Sequence, residues 1–346
     1  MNNTSYGGLD RFRMFAAFLV IGIHTSPLLS YSADGDFFLT RILGRVAVPF
    51  FFMVTGQFVL GGIGKDKDGG RERILAYVKK TALLYGAAII LYMPLGIYAG
   101  HYQGIGIPRV FRMLAFDGTF YHLWYFPASI IGVLVVYLMG RFLDSRGMGI
   151  AAGLLYVAGL LGDSYFGAAR QVPALEAVYE AGFRVFSYTR NGLFLAPIFL
   201  VLGMGAGTGR SFGRGVAAPI GLGVSFLVMV GEAFTLRNLG FQRHGSMYIA
   251  LVFVMAFLYQ LLLAWKKKPA KILRAVSAWI YILHPAMIVA VRGGAEFLGL
   301  EDMLVENSLA HYLAVAVLSF LAAFGVSMGR EALRPGRGSR GRRPGR

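Results

Sequence analysis

"RFRMFAAFLVIGIHTSPLL", residues 11–29, decides the fold. Its middle is apolar enough for lipid, yet Arg11 and Arg13 stand at one end and His24 lies well inside. An ionisable group in hydrocarbon is costly and persists only where a cavity, a partner or a function holds it. Arg13 and His24 are eleven residues apart. Eleven helical steps of about 100° return to nearly the same face, with a rise of ~16 Å. One face of one helix therefore carries a cation near one membrane surface and an imidazole at or beyond the midplane. Histidine, whose ordinary pKa is about 6.5, suits a general base at neutral pH. The structural alternatives are an Arg13 that snorkels to the interface and a His24 that hydrogen-bonds two helices together.

The rest of the chain repeats the pattern. Of 346 residues, 56% are hydrophobic and 15% charged, with a mean hydropathy of +0.60; soluble domains carry about 25% charged residues. The apolar residues fall in blocks of about 20, the length that crosses ~30 Å of hydrocarbon. The fold class is accordingly all-α: a polytopic integral membrane protein of about ten transmembrane helices. The expected spans are 10–31, 42–62, 74–99, 120–140, 148–166, 191–207, 216–236, 246–265, 272–292 and 308–329. With the N-terminus cytoplasmic, 24 of the 34 Lys and Arg residues fall in inner segments and 10 in outer ones. The positive-inside rule then puts both termini and the loop 63–73 in the cytoplasm. The domain plan is a transmembrane domain, 1–329, followed by a disordered Arg-rich cytoplasmic tail, 330–346, ending "RPGRGSRGRRPGR".

Several function classes drop out. The net charge of +17 sits in loops and tail rather than among aromatics on a soluble surface, so membrane lipids and not nucleic acid are the expected macroscopic partner. Without cysteine there is no disulfide, thiolate catalysis or Cys-based metal site. H-E-x-x-H is absent, and no metal is expected. "GMGAGTG" (203–209) follows no strand and reads as close helix packing. "ALEAVYEAGFRVFSY" (174–188) places Leu175, Val178, Gly182 and Phe186 on one face, an amphipathic helix lying on the outer surface or lidding a cavity.

The polar residues inside the spans have a shared depth. Arg45 and His122 open spans on the outer side, Glu232 lies near the outer end of the seventh span, and His284 lies in the outer half of the ninth. Asp163, Arg190, Asn191 and Arg292 stand at outer ends too, and with His24 they could line one outward-facing cavity. Each alone is more often structural than functional. The inner side offers Arg71, Arg73, Lys79 and Lys80 beside Arg13, a set that attracts anions.

The Arg13-x10-His24 spacing in a first span resembles the hallmark of membrane acyltransferase family 3, bacterial multi-span proteins that move acyl groups from a cytoplasmic donor to outer hydroxyls. "RVAVPFFFMVTGQF" (45–58) is similar to that family's second helix, and "SAWIYILHPAMI" (277–288) to its late Ser…Tyr…His helix. "YHLWYFPA" (121–128), "GDSYFG" (162–167), "TRNG" (189–192), "RHGSMY" (243–248) and "YILHP" (281–285) resemble the membrane domain of vancomycin-resistance serine racemases, up to about residue 330. The resemblance implies a multi-pass protein of the bacterial cytoplasmic membrane, with His24 as catalytic base and Arg13 a companion in handling the donor. Acyl-CoA would be a co-substrate, with no tightly bound cofactor. Glu232 is the candidate carboxylate to hold the imidazolium. Arg71, Arg73, Lys79 and Lys80 stand where the family commonly has an Arg-x-x-Arg pair, which this chain lacks. In the racemases a pyridoxal-phosphate domain follows the last span; here an Arg-rich tail follows, and racemase activity is not expected. The acceptor would be a small hydroxyl-bearing molecule; the other readings are uptake of L-serine through the same cavity, with Arg45, Arg190 or Arg292 pairing its carboxylate, and a membrane anchor without chemistry.

The topology is testable because the chain has no cysteine of its own. A single cysteine at position 180 in intact cells should react with an impermeant maleimide. Labelling only after permeabilisation would reverse the orientation.

Overall fold

The structure, a computed structural model, describes residues 6–61, 67–209 and 215–332. Among these the regular structure is entirely helical. Ten principal helices follow in order: α1 Gly7–Thr25, α2 Ala33–Leu60, α3 Lys67–Tyr98, α4 Tyr125–Phe142 and α5 Ser145–Leu161; then α6 Ala196–Gly207, α7 Ala217–Asn238, α8 Ile249–Ala264, α9 Lys271–Leu298 and α10 Ser308–Ala332. Each of the ten apolar blocks read from the sequence has its helix. Six of them (α2, α3, α4, α7, α9 and α10) are long and apolar enough to cross a bilayer, while α5, α6 and α8 are shorter apolar helices. The chain is a helical multi-pass membrane protein. Most of the proposed tail, 333–346, and part of the loop 63–73 lie outside the described residues.

The first two helix boundaries differ from the sequence reading, for local backbone reasons. Helix α1 ends at Thr25, since Ser26 adopts φ 48°, the one described non-glycine residue in the left-handed region, and Pro27 follows. His24 therefore stands in the last turn of α1 rather than in mid-span. Helix α2 begins at Ala33, nine residues before the expected start, with the Ser32 hydroxyl accepting from Gly35 N as its cap. It is irregular where Arg45 lies: a π turn (Phe38–Ile42) passes into a 3₁₀ turn (Leu43–Val46) before regular helix resumes at Ala47. Such interruptions re-aim side chains and are frequent at functional sites. The outer segment forms a helix over Pro173–Gly182. Its packed face is Leu175, Tyr179, Phe183 and Phe186 against Phe166, while Val178 is exposed, so the apolar stripe runs one step away from the one read in the sequence.

Helix α1 is the hub, packing against α2, α8, α9 and α10. Ala17 and Ile21 meet Ile280 of α9 and Val315 of α10 in one core; Phe50, Met53, Phe199 and Met255 form a second among α2, α6 and α8. A polar clasp fixes the other end of α1. The Asp10 carboxylate, 2% exposed, accepts from Arg274 Nε at 3.1 Å, Arg274 Nη2 at 3.0 Å and Ala270 N at 3.0 Å, with Arg13 Nη1 3.9 Å away. It ties the start of α1 to the start of α9.

The α2–α6 contact is backbone against backbone. A Cβ on Gly56 would stand 2.1 Å from Leu200 O, and one on Gly203 1.9 Å from Met53 O. This is the close approach that small residues permit between membrane helices. Gly203→Val should therefore lower the melting temperature of purified protein strongly, by about 1–3 kcal/mol of overpacking or more. Gly149→Ala, with nothing within 4 Å of the new Cβ, should leave it unchanged.

Candidate functional site

Polar groups collect at the two ends of α1, with a line of tyrosines between. At the Arg13 end is a cleft of about 1220 Å³ bounded by the starts of α3 and α9 and the end of α10. Arg13, Lys79, Lys80, Lys271, Arg274 and Arg330 line it, against the single carboxylate Glu331. Of the cations proposed from sequence, Arg13, Lys79 and Lys80 come together here. Arg71 and Arg73 do not line the cleft and stand exposed two turns earlier on α3. Lys271, Arg274 and Arg330 were not singled out by the sequence reading. Their signal was present in the charge count, which puts 266–274 and Arg330 on the same side as Arg13. Trp279 also lines the cleft, with the Arg330 guanidinium 5.5 Å from its ring centroid.

From the cleft a polar seam runs up through the bundle. The Tyr77 hydroxyl meets Ser129 Oγ at 2.5 Å. Tyr125 faces Tyr77, Ser129, Thr55 and, electrostatically, Arg13. The Tyr125 and Tyr281 rings are 5.5 Å apart, and the Tyr281 hydroxyl donates to the His122 carbonyl. A buried hydroxyl must find a partner, and this file of tyrosines joins one end of α1 to the other.

At the far end three histidines meet. His24 stacks on His284 with ring centroids 5.3 Å apart and planes inclined at 25°, and His122 meets His284 edge-on at 5.3 Å. Tyr121 covers His24 at 4.7 Å. The sequence reading brought these histidines to one depth; the structure makes them neighbours. His284 Nδ1 lies 3.1 Å from Ile280 O and 2.9 Å from Tyr281 O, so Nδ1 carries the hydrogen and Nε2 faces the cluster as an acceptor with no partner. Both His122 nitrogens are buried without a partner. His24 is half-buried, and no described residue hydrogen-bonds its ring. The carbonyl end of α1 favours positive charge at this position. Among the described residues no His and carboxylate group is arranged to hold a metal ion.

Arg45 and Arg190 act electrostatically on His24. Arg292 is exposed at the mouth, facing Tyr121 and His311. In the neighbouring loop, burial and the positive field of Arg190, Arg45, Arg41 and Arg243 hold the His244 imidazole far below its ordinary pKa, hence neutral. The remaining candidates have structural contacts. Asn191 Oδ1 accepts from Leu193 N and Phe194 N, shaping the turn into α6. Asp163 Oδ1 accepts from Ser164 Oγ, Ser246 N and Met247 N, pinning two loops together. Glu232 is not brought to His24. Its Oε1 accepts from Tyr165 Oη at 2.8 Å and Ile249 N at 2.6 Å, and Oε2 from Ala250 N at 2.9 Å, which satisfies the first amides of α8.

The architecture is thus a multi-pass helical membrane protein with a histidine cluster at one end of its hub helix and a cationic cleft at the other. Comparison with known proteins gives the family. Residues 6–328 match the model of acyltransferase family 3, described as an acyltransferase domain, and the chain belongs to that family. Among curated relatives, an amino-acid racemase of Enterococcus faecalis is 39% identical over 338 residues, 96% of this chain and 46% of that protein. A serine/alanine racemase of Enterococcus gallinarum is 35% identical over 326 residues, 90% of this chain and 44% of that protein. The chain spans just under half the length of these relatives. No solved structure matches it.

The contacts of Glu232 make a prediction of their own. Glu232→Ala leaves the first amides of α8 without acceptors and should lower the melting temperature, each lost charge-assisted bond being worth about 1.5–3 kcal/mol. Any transfer activity remaining per folded molecule should be unchanged.

Proposed function

We propose that this protein transfers an acyl group from a cytoplasmic acyl-CoA to the hydroxyl of a small acceptor at the outer side of a bacterial cytoplasmic membrane, with His24 as general base. The observation that carries the reading is the state of His24. It is a half-buried imidazole with no hydrogen-bond partner among the described residues, at the end of the helix whose other end opens on a six-cation cleft. The phosphates of the donor bind at Arg13, Lys79, Lys80, Lys271, Arg274 and Arg330, and its acyl-bearing arm follows the tyrosine seam. His24 takes the acceptor's hydroxyl proton as the oxygen attacks the thioester carbonyl. The C–S bond then breaks, and the departing thiolate receives the proton. With Glu232 engaged at α8, the imidazolium is supported by the carbonyl end of α1, against the like charges of Arg45 and Arg190. Membership of the acyltransferase family supports the reaction class.

A second reading has its own support. One relative is named an amino-acid racemase and another a serine/alanine racemase, and just under half of each matches this chain. On that reading the same cavity admits L-serine for uptake, and His24 carries a coupling proton.

Two substitutions separate the readings. His24→Ala and His24→Gln should both fold, melt close to the parent and lose about 10²–10⁴-fold in acyl transfer, because neither side chain exchanges a proton near neutrality. An active His24→Gln protein would remove the base role. Loss of serine accumulation in cells by both variants, with no acyl transfer detected in the parent, would favour uptake.

A further inference from the structure

We infer that Arg45 and Arg190 form a subsite for the carboxylate of a small hydroxy acid, held beside His24. As an acceptor site it rests on the proposed transfer reaction; as a carboxylate site it stands on the arginines themselves.

Four arginines converge on the loop around His244, and two of them are already used. Arg41 donates to His244 O at 2.9 Å. Arg243 donates to Ser187 O at 2.6 Å and lies 3.6 Å from the Phe183 ring centroid. Arg45 and Arg190 are different. Nε and Nη2 of Arg45 and Nε of Arg190 are out of solvent reach and have no hydrogen-bond partner. Among the described residues neither arginine has a carboxylate within salt-bridge distance. Asp163 is the one carboxylate whose field reaches both, and its Oδ1 is committed to Ser164, Ser246 and Met247.

Removing guanidinium nitrogens from water without a counter-charge costs several kcal/mol. A fold that keeps two such groups adjacent holds them for an anion that arrives from outside. The surroundings preorganise them. The Arg190 guanidinium lies 4.7 Å from the Trp124 ring centroid and 4.6 Å from that of Tyr188, so aromatic faces hold it without using its N–H groups. Arg45 projects from the 3₁₀ turn that interrupts α2. The three unpartnered nitrogens carry four N–H groups, which matches what one carboxylate accepts, about four lone-pair sites on two oxygens, and the guanidinium fork matches its planar geometry. Gly44, beside Arg45, packs on Ile23, beside His24, and Arg190 stacks on Trp124, two residues from His122, so a carboxylate held by both arginines brings a hydroxyl one or two carbons away toward the imidazole. Specificity for an anion follows from the same unpaired charges.

The test uses the full chain purified in lipid nanodiscs, with thermal unfolding followed against L-serine, L-serinamide and inorganic phosphate. L-Serine should raise the melting temperature saturably. L-Serinamide, which keeps the hydroxyl and amine but lacks the carboxylate, should bind at least ten-fold more weakly, and any shift from phosphate, which the cationic cleft takes, should survive Arg45→Gln and Arg190→Gln. Arg45→Gln and Arg190→Gln should each abolish the serine shift while retaining a cooperative transition, and Arg45→Lys, charged but without the fork, should weaken it. His24→Ala should keep it. The amide comparison needs no mutant, so a variant that fails to fold does not spoil the result. Equal shifts from serine and serinamide, a phosphate shift lost in both glutamine variants, no saturable shift from serine, or serine binding intact in both glutamine variants would each overturn the subsite. Arginine-dependent serine binding without acyl transfer would sustain the subsite and remove the transfer reaction.

Discussion

The rest of the molecule depends on one buried carboxylate. Asp10 has almost no solvent exposure, and it joins α1 to α9 through two bonds from Arg274 and one from the Ala270 amide. Removing one partner of such a buried pair typically costs about 3–5 kcal/mol, since the other charge is left uncompensated. Its larger consequence is register. With the starts of α1 and α9 fixed, Arg13 is placed in the cationic cleft and His24, eleven residues on, against His284. The Ala17 and Ile21 face, packed on Ile280 and Val315, carries that register through the bundle. The ends of the helix are therefore coordinated by a single ion pair and an apolar stripe.

The two ends treat their cations in opposite ways. At the cleft, Asp10 partly neutralises Arg13 and Arg274, and the lysines are exposed, so the proposed phosphate contacts would draw on open, hydrated charges. Such contacts weaken with salt. At the histidine end, Arg45 and Arg190 are partly buried, with three of their guanidinium nitrogens out of solvent reach, lack ion pairs among the described residues, and are held by aromatic rings and an irregular turn. A charge in that setting acts over longer range and discriminates more sharply. The first arrangement suits capture of a large polyanion from solution, the second the orientation of a small one.

The fold was legible because hydropathy and length carry it directly: each of the ten apolar blocks has its helix. The misread boundaries lie where single dihedral angles decide. Nothing in the sequence announces that Ser26 turns left-handed or that α2 starts nine residues early and passes through π and 3₁₀ turns. Side chains at the candidate site divide in the same way. His24, His122 and His284 share a depth that span-counting reveals, and the structure makes them contacts. Glu232 shares that depth but points to α8, because depth fixes height along the membrane normal and not direction around a helix. Lys271 and Arg330 were missed because they lie far from Arg13 along the chain, and only the packing of α9 and α10 on α1 brings them to it.

A chain that spans just under half of its racemase-named relatives raises the question of what this part can do by itself. The cleft, the tyrosine seam, the histidine cluster and the arginine pair all come from residues between Asp10 and Glu331, within the matched family domain apart from the last turns of α10. Each holds polar groups in a mostly apolar interior, and polar groups there cost stability unless they are satisfied. Where a purely structural role explains the polarity, the bonds are complete, as at Asp163, Asn191 and Glu232. Where the bonds are incomplete, at Arg45, Arg190, His122 and the Nε2 of His284, the groups face one another around His24. Single buried atoms of Arg13, Thr119, His311 and Ser319 also lack partners, but around His24 such groups gather in number, as in a place shaped for something that is not part of the chain.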